Sequence, residues 1–201
     1  MTSKPFHPRA TVAAAFAAGA LLLTPAAFAQ EGRQNDNRPD TSQQALSAQD
    51  RQFVNNAAQG GLMEVEAGQL ASQKAQHADV KAFGARMVQD HGKANSQLEQ
   101  TVGSMGMTLP KELATPHRQH MDHLARLSGA AFDREYMKQM VQDHQKTVAD
   151  FEKQAERGEN AAVRGFAQQN LPVLQEHLRM AQELATKVGA QTNAQGTRPQ
   201  G

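Results

Sequence analysis

The heptapeptide Met-Val-Gln-Asp-His-x-Lys occurs twice, as MVQDHGK from Met87 and as MVQDHQK from Met140, so Asp90-His91 and Asp143-His144 hold the same place in two copies. An imidazole that is neutral near pH 7 is the commonest protein ligand for a metal ion. A carboxylate on its second nitrogen sets its orientation and tautomer. Two further residues join these pairs if each segment is wound as a helix advancing about 100° per residue. His91 lies four residues from Met87 and seven from Gly84 and Leu98. His144 is flanked by Met140 and Val148 at four and by Met137 and Phe151 at seven; His177 by Val173 and Ala181 at four and by Asn170 and Leu184 at seven. Glu64 lies between Gly60-Gly61 and Ala67-Gly68 on the same kind of stripe. All four fall near the midpoints of their segments, and antiparallel rods of equal length share a midplane. The expectation is one divalent ion held by Glu64, His91, His144 and His177, with Asp90 and Asp143 orienting the imidazoles from the edge of the stripe. The competing expectation is a buried polar network that only fixes helix register.

Other residue types support less. His117, His120 and His123 form an i, i+3, i+6 series, so adjacent pairs share a face; a solvated helix explains them as well as a ligand set does. Met63, Met87, Met137 and Met140 could suit a soft ion, yet Met at helical spacing also serves as core filler. The chain has no Cys, which excludes disulfides and thiolate chemistry. It also has no Gly-x-Ser-x-Gly, phosphate loop or dinucleotide fingerprint. An enzymatic role would therefore rest on metal alone, and the reading leans away from catalysis.

Four long helices must carry these side chains. Ser47-Ala48-Gln49-Asp50 resembles a capping box and opens the first, with Phe53, Ala57, Gly60, Met63, Ala67 and Leu70 on one stripe as far as about Ala75. The second runs from about Asp79 to Gly103, through Val80, Phe83, Met87, Ala94, Leu98 and Val102. Thr115-Pro116 predicts a short extra helix, with Thr115 as its cap. Ser128 caps the third long helix, which carries Phe132, Tyr136, Met140, Val141, Val148 and Phe151 as far as Gly158. Asn160 caps the fourth, which carries Val163, Phe166, Leu174, Leu178, Ala181 and Leu184 and closes at Gly189, with Pro172 expected to bend it and free a carbonyl. Very short turns inside each pair predict two antiparallel hairpins packed as an all-α four-helix bundle over residues 47–189.

Lys4 and Arg9 precede an apolar run from Ala10 to Phe28 that ends in Ala27-Phe28-Ala29, the pattern of a cleavable export signal over residues 1–29 cut after Ala29. Residues 30–46 and 190–201 are polar and rich in Gln, Asn, Gly and Pro, and read as a disordered linker and tail. Removing Lys4 and Arg9 leaves 19 basic against 20 acidic residues, a net charge of −1 rather than +1. That balance offers no footprint for nucleic acid, and no later apolar run is long enough to span a bilayer.

Phe53, Gly61-Leu62-Met63-Glu64-Val65, Met87-Val88-Gln89-Asp90-His91, His144, and Leu171-Pro172 followed by His177 resemble a family of secreted bacterial proteins. That family is assigned to the ferritin-like helical bundles, is often labelled predicted outer membrane protein and has no settled activity. The resemblance spans residues 50–188 and implies a ferritin-like antiparallel bundle. The wider superfamily implies a di-metal centre with Glu-x-x-His on two helices, and no Glu-x-x-His occurs here, which counts against ferroxidase or oxygenase chemistry. The combined expectation is an exported periplasmic protein that binds a divalent metal or small ligand at a Glu/His midplane site, with a role in envelope stress and an envelope protein as partner. The alternative is a non-metal structural or interaction module.

Overall fold

Helix boundaries follow from caps that the chain carries in its own turns. A computed structural model describes residues 46–190; the expected signal, nearly all of the linker and the tail beyond Ala190 lie outside them. Five helices result: α1 (Ala48–Lys74), α2 (Ala78–Gly103), α3 (Thr115–Ala125), α4 (Gly129–Arg157) and α5 (Ala161–Lys187). Ser47 Oγ accepts from the Asp50 amide at 3.1 Å and starts α1. Asn160 Oδ1 accepts from the amides of Ala162 and Val163 at 3.0 and 3.2 Å and starts α5. The cap of α2 is His77, whose Nδ1 accepts from the Asp79 amide at 3.2 Å.

Thr115 is the first helical residue of α3 rather than its cap; Ala114 holds the cap position with no side-chain cap bond. Gln59 of α1 fastens that loop instead, accepting from the Ala114 amide at 2.8 Å and donating to the Glu112 carbonyl at 3.0 Å. Ser128 does precede α4, but its hydroxyl makes no cap bond. In α1 the reciprocal half of the capping box is absent, because the Asp50 carboxylate is turned toward another turn. Pro172 sits on the exposed side of α5, which continues through it as one helix.

The helices pair as two hairpins, α1 with α2 and α4 with α5; α1 also meets α4 and α2 meets α5, while α3 lies against α1 and α4. Each hairpin holds the other's turn. Asp50 of α1 is fully buried and accepts from Gln154 Nε2 at 2.6 Å and the Asn160 amide at 2.9 Å, at the α4–α5 turn. Asp133 of α4 accepts from the amides of Gln76 and His77 at 3.0 and 2.8 Å, at the α1–α2 turn. Such buried bonds to turn amides fix register more firmly than apolar contact, since breaking one strands a charge away from water. Glycines set the closest approach within the first hairpin: a Cβ at Gly68 would lie 2.5 Å from the Gly84 carbonyl oxygen.

Two apolar clusters fill the bundle. One contains Ala71, Phe83, Met87, Tyr136, Met137, Met140 and Ala181; the other contains Phe53, Val54, Leu98, Phe151, Phe166 and Leu174. Leu46, at the end of the expected linker, is buried in the second cluster. On three of the long helices a histidine falls at the change from one cluster to the other: His91 between Met87 and Leu98, His144 between Met140 and Phe151, and His177 between Leu174 and Ala181; on α1, Glu64 directly follows Met63 of the first cluster.

Candidate metal centre

His91, His144 and His177 are 7, 1 and 1% exposed, and their ring centroids form a near-equilateral triangle with sides of 5.6, 5.4 and 5.4 Å. Each can present one ring nitrogen to a common point, the three nitrogens lying within 4.8 Å of one another, so the set could hold a metal ion. A tetrahedral ion bonded at 2.0–2.1 Å sets nitrogens about 3.3 Å apart, so the widest pair would close by up to roughly 1.5 Å.

Tautomers follow from the outer partners. His144 Nδ1 lies 2.9 Å from the Met140 carbonyl oxygen and must donate to it, which leaves a lone pair on Nε2. His177 Nε2 lies 2.8 Å from Asp90 Oδ2, and Arg86 Nε also donates to that oxygen at 3.2 Å. Burial works to raise the Asp90 carboxyl, but its bonds to His177 and Arg86 outweigh burial and hold it below the usual range. Asp90 is therefore ionised, His177 donates through Nε2, and Nδ1 keeps its lone pair. His144 Nε2, His177 Nδ1 and His91 Nε2 are all buried with no hydrogen-bond partner.

Burial also keeps the triad neutral. Desolvation, reinforced by the neighbouring imidazoles, pushes His91 well below its ordinary value and brings His144 down to about 4. His177 is lowered by burial too, against a smaller upward pull from Asp90. Glu64 is 4% exposed, and burial, then the nearby Asp143, pushes its carboxyl well above the usual range. Its Oε1 stands 3.7 Å from His144 Nδ1. With His144 held neutral by its depressed pKa, this contact is not an ion pair. Glu64 Oε2 has no partner.

Asp143 corrects its expected role. It orients no imidazole of the triad: burial raises its carboxyl, partly offset by His120, by a bond from Gln139 and by His117, and Oδ2 has no partner. Two residues outside the expected site, Tyr136 of the apolar stripe and Gln139, adjoin Glu64 and Asp143. Tyr136 is fully buried with an unpaired hydroxyl raised by burial and by Glu64, and Gln139 is 3% exposed with an unpaired Oε1. A Tyr on an apolar stripe was the available signal, since its polar tip must end somewhere. Of the short-helix histidines, His117 sets Nδ1 3.2 Å from Met63 Sδ, while His120 and His123 are exposed. Met63, Met87, Met137 and Met140 all pack in the first apolar cluster.

A cavity of about 470 Å³ borders Glu64 and all three imidazoles. Among the described residues no helix is long and apolar enough to cross a membrane.

A family model described as a domain of unknown function, DUF4142, matches residues 35–184. The chain belongs to the DUF4142 family. Its fold is also found outside that family. A DUF305 fragment from Deinococcus radiodurans is 16% identical with a TM-score of 0.62, over 71% of this chain and 98% of that one. A conserved hypothetical protein from Mycobacterium tuberculosis is 16% identical with a TM-score of 0.51, over 75% and 97%. A two-domain protein from Anabaena variabilis, with DJ-1/ThiJ/PfpI-like and ferritin-like domains, is 14% identical with a TM-score of 0.51, over 78% of this chain but 42% of that one. No curated protein matches the chain. At these identities the likeness concerns the helical, ferritin-like type of fold. The ligand pattern here also differs from a Glu-x-x-His di-metal centre: the metal-capable group is three histidines, and the Asp90 carboxylate is committed to His177 and Arg86.

Proposed function

We propose that this DUF4142 protein is exported to the periplasm and binds one divalent cation through His91, His144 and His177, with Glu64 as fourth ligand. The observation that carries the reading is the set of unpaired buried atoms. The three histidines and Glu64 each hold one, and the three imidazoles, without Glu64, offer ring nitrogens within 4.8 Å of one another. Buried polar atoms without partners cost about 1–3 kcal/mol each, and a metal ion satisfies four at once. Neutral imidazoles are already in the ligating form, and His and carboxylate donors suit zinc and the later first-row ions. The cation is bound rather than turned over, and the physiological setting proposed is envelope stress, with an envelope protein as partner.

Metal analysis of the protein purified without a His tag, beside a triple His91/His144/His177→Ala variant, tests this. About one equivalent of metal in the wild type and a trace in the variant is the expected result. Equal trace content in both returns the layer to a register-fixing polar network. Glu64→Gln keeps the volume and weakens cation affinity if the carboxylate is a ligand. Export is tested separately by N-terminal sequencing of the extracytoplasmic protein, which should begin at Gln30; a chain beginning at Met1 rejects the signal.

A further inference from the structure

The cavity beside the triad is larger than a cation and one water require. At about 470 Å³ it is within the range of small-molecule sites, and it extends from the imidazoles into the second apolar cluster. The far wall is built by Phe53, Phe151 and Phe166, packed edge-on and tilted with centroids 4.9, 5.8 and 6.4 Å apart, together with Leu98 and Leu174. Asn56, Asn95 and Asn170 set amides at its sides. Gly61 makes the place for one of these, since a Cβ there would come within 1.9 Å of Asn95 Oδ1. Lys146 is the single Lys or Arg among the described lining residues, and its ammonium is already paired with Asp150. One end of the cavity is thus a group of unpaired ligand atoms and the other an aromatic wall, with no uncommitted ammonium or guanidinium between them.

We infer that the cavity takes a small organic anion with an apolar or aromatic body: its carboxylate or phenolate oxygen joins the bound cation as a fifth ligand, and its body lies against Phe53, Phe151 and Phe166. This rests on the cation reading above. The geometry sets the order of binding, because the cation is the one unpaired positive charge the anion could meet. A zinc-type site can expand from four ligands to five.

Acetate and benzoate share a head and differ in body, and both are too weak as chelators to strip the ion. The full chain is loaded with cobalt(II), and each anion is titrated while the visible cobalt spectrum is followed. Benzoate should bind at least about tenfold more tightly than acetate, from burial of its ring. Filling the cavity with Ala57→Phe, or with Ala94→Leu should the first variant not fold, should erase that preference and leave cobalt uptake and acetate affinity unchanged. Equal affinities for the two anions, benzoate binding as tight to the metal-free chain, or a preference that survives both cavity-filling variants overturns the proposal while the cation site stands. Failure of the wild type to take up cobalt overturns the cation reading itself.

Discussion

Asp90 and Asp143 hold the same position in the same heptapeptide, yet one is a paired carboxylate with a lowered pKa and the other a half-buried one with a raised pKa and an unpaired oxygen. The difference begins four residues upstream, where α2 has Arg86 and α4 has Gln139. On a helix i and i+4 meet, so Asp90 gains a cation and Asp143 an amide. It is completed by the neighbouring helix. α5 brings His177 to Asp90, whereas Asp143 is turned toward the His117 and His120 side, where α3 lies. The histidines beside them behave alike, since both rings are buried and both pKa values fall. A repeated motif thus fixes which way its side chains point, while their protonation is decided by neighbours outside the motif.

The largest expected effect tests what the two copies share. His144 is lowered from 6.5 to about 4, and a depressed folded pKa means stability that is complete above pH 6.5 and lost as pH falls through 4. That one group accounts for roughly 3 kcal/mol. His91 and His177 act in the same direction. Glu64 acts oppositely, its raised folded pKa adding stability as pH falls toward 4.5. Metal-free protein followed by urea melts should therefore lose stability between pH 6.5 and 4, and Glu64→Gln should lose it more steeply. A flat profile in the variant would mean that the imidazoles are not held neutral.

The next effect separates the copies. Asp90→Asn should lower cation affinity by about 10–100-fold, because His177 loses the carboxylate that sets its tautomer. Asp143→Asn should leave affinity nearly unchanged, and calorimetric titration of the two variants compares them directly. Without metal, Asp90→Asn should cost about 1–2 kcal/mol, as a charge-assisted bond to a buried ring is lost. Asp143→Asn should cost nothing or stabilise slightly, since it removes a carboxylate that burial disfavours; thermal melts at pH 7 give the sign. The smallest effect comes from Arg86→Gln, which gives Asp90 the upstream residue of Asp143. The half-exposed pair should cost under about 1 kcal/mol, while the Asp90 pKa read by NMR should rise. An unmoved pKa would assign the difference to His177 alone.

Much of the fold was legible in the residues themselves. Ser47, Asn160 and Pro116 mark helix starts, and the inward direction of His91, His144 and His177 follows from counting residues against apolar neighbours. The clasps at the two turns were not legible, because Asp50 and Asp133 act on amides more than 50 positions away in the chain. Tyr136 and Gln139 were missed for a related reason: periodicity places a residue on a buried stripe without saying what its polar tip meets there.

Local periodicity and capping chemistry therefore determined that this chain forms four long helices and which face of each is turned inward, because both depend on residues within a few positions of one another. Only the tertiary structure decided that the Asp90 carboxyl is held low while the Asp143 carboxyl is raised, that burial lifts the Glu64 carboxyl where it stands against His144, and that a cavity joins the imidazoles to an aromatic wall. Those properties depend on burial and on which helix lies opposite. Both arise only once segments distant in sequence have packed together.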